Sequence, residues 1–276
     1  MNAPTRLAAF AATLALISGG AALAGGAIDP DRDADAPAGK DEHAVKTTTP
    51  HAEETHPVRG LAVAEDDLRV VVDDPELTRG RSERLAFRIV DARGATVKDF
   101  DVAHEKRMHL IVVRRDLTGF QHLHPEQAAD GTWTTDVRLD DAGSYRLFAD
   151  FARDGSPHTL ASDLRVDGDA DLRPLPAPAT TAVSDGGYDV RLERDGSLVR
   201  FAISRDGTPI ETEPYLGAGG HLVALREGDL AFLHVHPEED GVSFETELPT
   251  AGRYRLFLQF QHEGRVQTVA FTQEVS

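Results

Sequence analysis

"HLIVVRRDLTGFQHLHPE", residues 109–126, returns 112 positions later as "HLVALREGDLAFLHVHPE", residues 221–238. Eight of the eighteen positions are identical, and three of the eight are histidines at the same H-x12-H-x-H spacing. A second pair of segments follows in the same order. "AGSYRLFADF" (142–151) and "AGRYRLFLQF" (251–260) agree at seven of ten positions. Two matching segments in a fixed order mark tandem copies of one structural unit.

The sequence around these segments is a series of short alternating runs. "LRVVVDD", "RLAFRIVD", "TWTTDVRL" and "YRLFADF" are separated by turn signals such as "DARG", "ADGT" and "RDGS". Regular short strands without a sustained helical period predict an all-β fold, with two tandem immunoglobulin-like β-sandwich domains. The first is expected at 61–168 and the second at 183–276, joined by a Pro/Ala linker at 169–182. The Gly-x-Tyr before each repeated strand resembles the tyrosine corner of such sandwiches, where a hydroxyl turns back onto the chain. Tyr145 and Tyr254 hold that position; a simpler reading makes each a strand residue with its ring in the core.

Before the sandwiches, residues 29–60 are polar, charged and aperiodic, which reads as a disordered tether. Leu7 to Ile28 is uncharged and follows Arg6. Ala22-Leu23-Ala24 fits a secretory cleavage pattern, and the same stretch is long enough for an uncleaved membrane anchor. Either way residues 1–28 direct the rest outside the cytoplasm, secreted or membrane-anchored, with membrane contact only through this segment.

Composition narrows the partners. There are 47 acidic against 29 basic residues, for a formal charge of −18, which repels phosphate backbones and argues against nucleic acid. The chain has no cysteine, which removes thiolate zinc sites, iron–sulfur clusters and blue-copper centres.

The histidines remain. A hairpin turning at Arg114-Arg115-Asp116-Leu117 would oppose His109 to His122 and Ile111 to Phe120, with His124 one pleat further on the same face. The second copy, turning at Arg226-Glu227-Gly228-Asp229, would oppose His221 to His234 and Val223 to Phe232, with His236 beyond. Each sandwich is thus expected to gather a trio: His109, His122 and His124 in one, His221, His234 and His236 in the other. Three imidazoles suit Zn2+ and Cu2+. The two sets could instead share one ion across a domain interface. Glu126 and Glu238 are candidate additional ligands or solvated turn carboxylates. His104 and His262 are reserves.

With the HLxxxR…F-x-H-x-HPE and AGxYRLF repeats in view, the chain resembles a group of exported actinobacterial proteins with one N-terminal hydrophobic segment and tandem sandwich domains. At fold level it also resembles the CopC/YtkA-type copper carriers, which implies a copper-binding role. The terminal-histidine copper site of those carriers has no counterpart here, and Met108 is expected on the strand face opposite His109. Copper (Cu2+) on imidazole is therefore the expected cofactor, with zinc as the other option.

Three function classes follow. The first is an extracytoplasmic metal-binding protein in metal resistance, storage or delivery. The second is a metal-free structural or interaction module with an extracytoplasmic protein partner, its histidines forming a polar rim. An enzyme is not expected, because the His-x-His spacing misses the cupin pattern and no substrate pocket signature is present.

Overall fold

The computed structural model describes residues 58–233, 235–238 and 241–276. The Leu7–Ile28 stretch, His43, His51, His56 and His234 lie outside the described residues. Among those described, no helix is long and apolar enough to cross a membrane.

The first sandwich begins with β1 (Ala64–Glu65), β2 (Leu68–Val72), β3 (Glu76–Leu77), β4 (Ser82–Asp91) and β5 (His109–Arg114). It continues with β6 (Gln121–Leu123), β7 (Glu126–Gln127), β8 (Trp133–Arg138), β9 (Gly143–Arg153) and β10 (Ser156–Val166). Two sheets result, ordered β1-β2-β4-β8-β7 and β3-β10-β9-β5-β6. The alternation of β4 sends Leu85, Phe87 and Ile89 inward, where they meet Leu110, Val112, Leu147 and Leu160 of the facing sheet.

The second sandwich repeats the plan. Its first strands are β11 (Thr181–Val183), β12 (Asp189–Asp195), β13 (Leu198–Arg205), β14 (Thr208–Pro209) and β15 (His221–Arg226). After them come β16 (Phe232–Leu233), β17 (Val235–Pro237), β18 (Ser243–Thr246), β19 (Gly252–His262) and β20 (Arg265–Val275). The sheets are β11-β12-β13-β18-β17, with β14 on β13, and β16-β15-β19-β20. Both tyrosine corners form. Tyr145 donates its hydroxyl to the Asp141 carbonyl at 2.8 Å and Tyr254 to the Thr250 carbonyl at 2.6 Å, and both rings are buried.

In both copies the chain changes sheet at the histidine motif. β6 pairs with β5, whereas β7, just past His124-Pro125, pairs with β8 in the opposite sheet. β16 likewise pairs with β15, and β17 with β18. A proline can give no N–H to a ladder, so His124-Pro125 fits the corner of the first copy, whereas His236-Pro237 lies within β17.

The central strands are apolar on both sides because both sides are covered. Leu110 and Val112 of β5 enter the first core, while Ile111 and Val113 enter a third core shared with Val223, Leu225, Phe232 and Phe257 of the second sandwich. A fully buried strand reads as a continuous apolar run rather than an alternating one. The shared core is reciprocal. Phe120 stacks on Phe257 with centroids 4.1 Å apart, and the equivalent pair, Phe232 and Phe148, lies at 5.5 Å. Equivalent residues meeting in exchanged roles describe an isologous interface, here built within one chain.

The segments expected to be tether and linker take part in this packing. The Phe232 N–H donates to the Arg59 carbonyl at 3.0 Å. Gly60 has φ 69°, and a Cβ there would come within 2.8 Å of Phe148 and Phe232, so only glycine fits. In the linker, Leu175 is buried in the shared core. Arg114, paired to Asp116 at 2.6 Å, also donates to the Asp171 carbonyl at 3.1 Å, and the Arg173 N–H donates to Asp116. Burial pushes the Asp116 carboxyl up, but the bonds from Arg114, Arg173 and Thr118 outweigh it and hold the pKa down at about 2.

Candidate metal centre

His109 opens β5 and is 2% exposed, directly opposite Asp150 of β9. The observed hairpin register differs from the expected one by two residues. Ile111, not His109, stands opposite His122, and Leu225, not Val223, opposite Phe232. The loop from 115 to 120 is longer than the expected turn, held by Arg114 N–H to the Thr118 carbonyl at 2.9 Å. A slip of two keeps the parity of the pleat, so His109 and His122 still share a face. They meet diagonally, His109 Nδ1 lying 3.0 Å from His122 Nε2.

The third imidazole comes from the other sandwich. His221 opens β15 as the repeat equivalent of His109, and its ring lies 4.7 Å from His122 and 5.6 Å from His109. One ring nitrogen each from His109, His122 and His221 lies within 4.8 Å of the others. His124 stands 4.8 Å from His122 and 5.1 Å from His109, ring to ring, and its Nε2 is buried with no hydrogen-bond partner among the described residues.

The expected trio of the first sandwich comes together, with His109, His122 and His124 ring to ring within 5.2 Å of one another. His221 joins the histidines of the first sandwich. The backbone of His236 lies in β17, opposite Glu245 in the other sheet. His234 lies outside the described residues. Glu126 and Glu238 are exposed on the far side of the sheet switch. Met108 is buried in the first core, on the face opposite His109 as expected.

His104 belongs to the cluster more closely than its reserve status implied. It and Glu105 adopt φ of 47° and 64° in a two-residue turn closed by Ala103 and Lys106. That turn sets the exposed His104 ring 6.1 Å from His109 and 5.9 Å from His221, at the solvent edge of the buried imidazoles. His262, the other reserve, is instead hydrogen-bonded through Nδ1 to the Tyr188 hydroxyl at 2.8 Å.

The protons on the rings can be assigned. Ala103 O lies 3.1 Å from His109 Nε2 and can only accept, so the His109 hydrogen sits on Nε2. Gln259 Oε1 lies 2.7 Å from His122 Nδ1, and with the amide in this orientation the His122 hydrogen sits on Nδ1. The two nitrogens left facing each other, His109 Nδ1 and His122 Nε2, then both carry lone pairs.

Protonation does not relieve this contact. Burial, with repulsion from His109 and His124, drives the His122 pKa down to about 3. Burial, His109 and Lys106 bring His124 to about 4. Burial lowers His109 against the opposing Ala103 hydrogen bond, and burial plus four neighbouring histidines put His221 well below its ordinary value. At neutral pH these are neutral imidazoles, the form that binds metals.

Asp150 and Gln259 are site residues that the histidine pattern alone did not single out. They occupy equivalent places in the AGxYRLF repeat, as register partners of His109 and His221. A polar side chain at the same place in both copies of an apolar strand was the available signal.

The sequence matches the model of one family, "Domain of unknown function (DUF8832)", at residues 62–168 and again at 181–276. The chain belongs to this family, with two copies of its domain. No relative was found among curated protein sequences. Among solved structures, the Lin-41 filamin domain matches at 15% identity over 40% of this chain and 98% of its own, with a TM-score of 0.27. The Escherichia coli adhesin FdeC matches at 15% identity over 78% of this chain and 66% of its own, TM-score 0.28. A two-domain fibronectin type-III segment of chicken tenascin matches at 11% identity over 75% of this chain and 97% of its own, TM-score 0.22. The DUF8832 pair is a tandem sandwich by its own strand pairing, whatever these distant likenesses add.

Proposed function

We propose that the chain binds one divalent transition-metal ion between its two sandwiches, through His109, His122 and His221, with His124 beside them. The observation that carries this is the convergence of ring nitrogens of His109, His122 and His221 within 4.8 Å of one another, with His109 Nδ1 3.0 Å from His122 Nε2. Two nitrogens sharing a zinc ion at roughly 2.0–2.1 Å in a tetrahedron stand roughly 3.3 Å apart. The outer hydrogen bonds to Ala103 and Gln259 are of the kind that fix the tautomer and orientation of metal-bound histidines. His221, stacked on His109 with ring planes 7° apart, would rotate about χ2 to aim a nitrogen at the shared ion.

Copper is favoured over zinc, since Cu2+ binds nitrogen donors more tightly, and the resemblance to CopC/YtkA-type carriers points the same way. The role is metal storage, resistance or delivery outside the cytoplasm, to which the Leu7–Ile28 stretch would direct the chain. Binding is favoured over catalysis by the tightness of the surroundings. The cavity beside His104 and His221 measures about 10 Å3, room for roughly one water molecule.

The 3.0 Å contact of His109 Nδ1 with His122 Nε2 also fits a hydrogen bond, which gives a second reading, a metal-free polar clamp. If the Gln259 amide is turned over, its NH2 donates to His122 Nδ1, and His122 Nε2–H then donates to His109 Nδ1. The His109–His122–Gln259 hydrogen bonds are then complete without an ion, and the chain is a structural or interaction module. Equilibrium dialysis against Zn2+ and Cu2+ separates the two. The metal reading expects retained ion in the wild-type chain and none in His109→Ala/His122→Ala. Equal, negligible retention by both proteins supports the clamp.

A further inference from the structure

The two halves of the cluster differ in charge at one equivalent position. Asp150 in β9 is the register partner of His109, and Gln259 in β19 is the register partner of His221. Directly opposed residues of an antiparallel pair project to the same face, so both belong to the faces that carry the histidines. Equivalent threonines one strand further hold them. Thr159 donates to Asp150 Oδ1 at 2.6 Å, and Gln259 Nε2 donates to Thr268 Oγ1 at 3.3 Å. Gln259 then reaches across the interface to His122.

We infer that Asp150 is the specificity-determining residue of the site, favouring divalent over monovalent ions. The inference rests on the metal-binding reading. Imidazoles are neutral ligands and leave the full charge of the ion uncompensated in a buried setting. The Asp150 carboxylate, at the equivalent of the neutral Gln259 amide, supplies a compensating charge from the same face. Burial raises the Asp150 pKa, with the Thr159 hydrogen bond, Arg59 and His104 acting against that rise. A cation nearby also favours the ionised carboxylate.

Coulomb attraction scales with the charge of the ion, so its loss weakens a divalent ion twice as much, on a logarithmic scale, as a monovalent one. Asp150→Asn keeps the shape and an oxygen for Thr159. Competition titrations with Zn2+ and with Cu+ are compared for the wild-type chain, Asp150→Asn, and the swap Asp150→Asn/Gln259→Glu, whose new carboxylate still accepts from His122. The expected result is about tenfold weaker Zn2+ binding in Asp150→Asn, the lower end of outer-ligand effects. Cu+ weakens only about threefold, and the swap brings Zn2+ back to within about threefold of wild type.

Unchanged Zn2+ binding in Asp150→Asn overturns the inference, as does equal weakening of both ions that the folded swap fails to reverse. If the wild-type chain binds Zn2+, and His122→Ala loses it while Asp150→Asn does not, only the Asp150 role falls. If the wild-type chain binds neither ion, the metal site and the role of Asp150 fall together.

Discussion

His109 and His221, equivalent residues of the two repeats, stack on each other with centroids 5.6 Å apart and ring planes within 7°. One belongs to each sandwich, so the centre of the histidine cluster is an interface between copies. The aromatic pairs Phe120–Phe257 and Phe148–Phe232 surround that contact in exchanged roles.

These pairs make the interface a cooperative part of the fold. Phe257→Ala is expected to cost about 3 kcal/mol, typical of a large buried aromatic cut to alanine. Calorimetry is expected to show one transition for the wild-type chain and two for the variant, since the substitution removes contact between the sandwiches.

Tautomers offer a direct check of the lone-pair geometry. Long-range nitrogen–proton correlation spectra of the metal-free chain at neutral pH should show His109 protonated on Nε2 and His122 on Nδ1. His122 protonated on Nε2 would instead mean that Gln259 is turned over and that the clamp reading holds.

Stability should fall with acid in two steps. Unfolded histidines take up protons below their ordinary pKa of 6.5, but folded His122 and His124 resist until about 3 and about 4. Their folded values are depressed, so this share of stability is complete above pH 6.5 and declines as pH falls toward 4 and 3. Asp116, with an ordinary value of 3.8 and a folded value of about 2, adds a second decline between those two pH values. Chemical denaturation of the metal-free chain across this range reads both steps.

Asp116 also anchors the connection between sandwiches. Asp116→Ala leaves Arg114, 1% exposed, with only the longer 3.8 Å pair to Asp141, and is expected to cost about 3 kcal/mol, the low end for breaking a buried pair. The same change frees the Arg173 N–H, so limited proteolysis should cut near residues 171–175 faster in this variant than in wild type.

Much of this architecture is legible in the sequence, because strand alternation, turn residues and the doubled AGxYRLF segment are local signals. The tyrosine corners follow from the same segment. The hairpin register was harder to read. The loop after Arg114 spends extra residues on its own hydrogen bonds, which shifts the pairing by two without changing the face. The meeting of His221 with His109 and His122 is long-range, decided by how one sheet face packs on another. Its one local trace is that "LIVV" and "LVAL" run apolar without alternating, the mark of strands covered on both sides. Asp150 and Gln259 are invisible to a search for histidines because their roles arise only through cross-strand partners.

A site shared between copies predicts a stoichiometry that two separate sites do not. Isothermal titration of the purified chain with Zn2+ should give one ion per chain, with binding abolished by His122→Ala and equally by His221→Ala, although the two residues lie in different sandwiches. Two ions per wild-type chain, or one ion still bound tightly in either variant, would contradict a single centre spanning the interface.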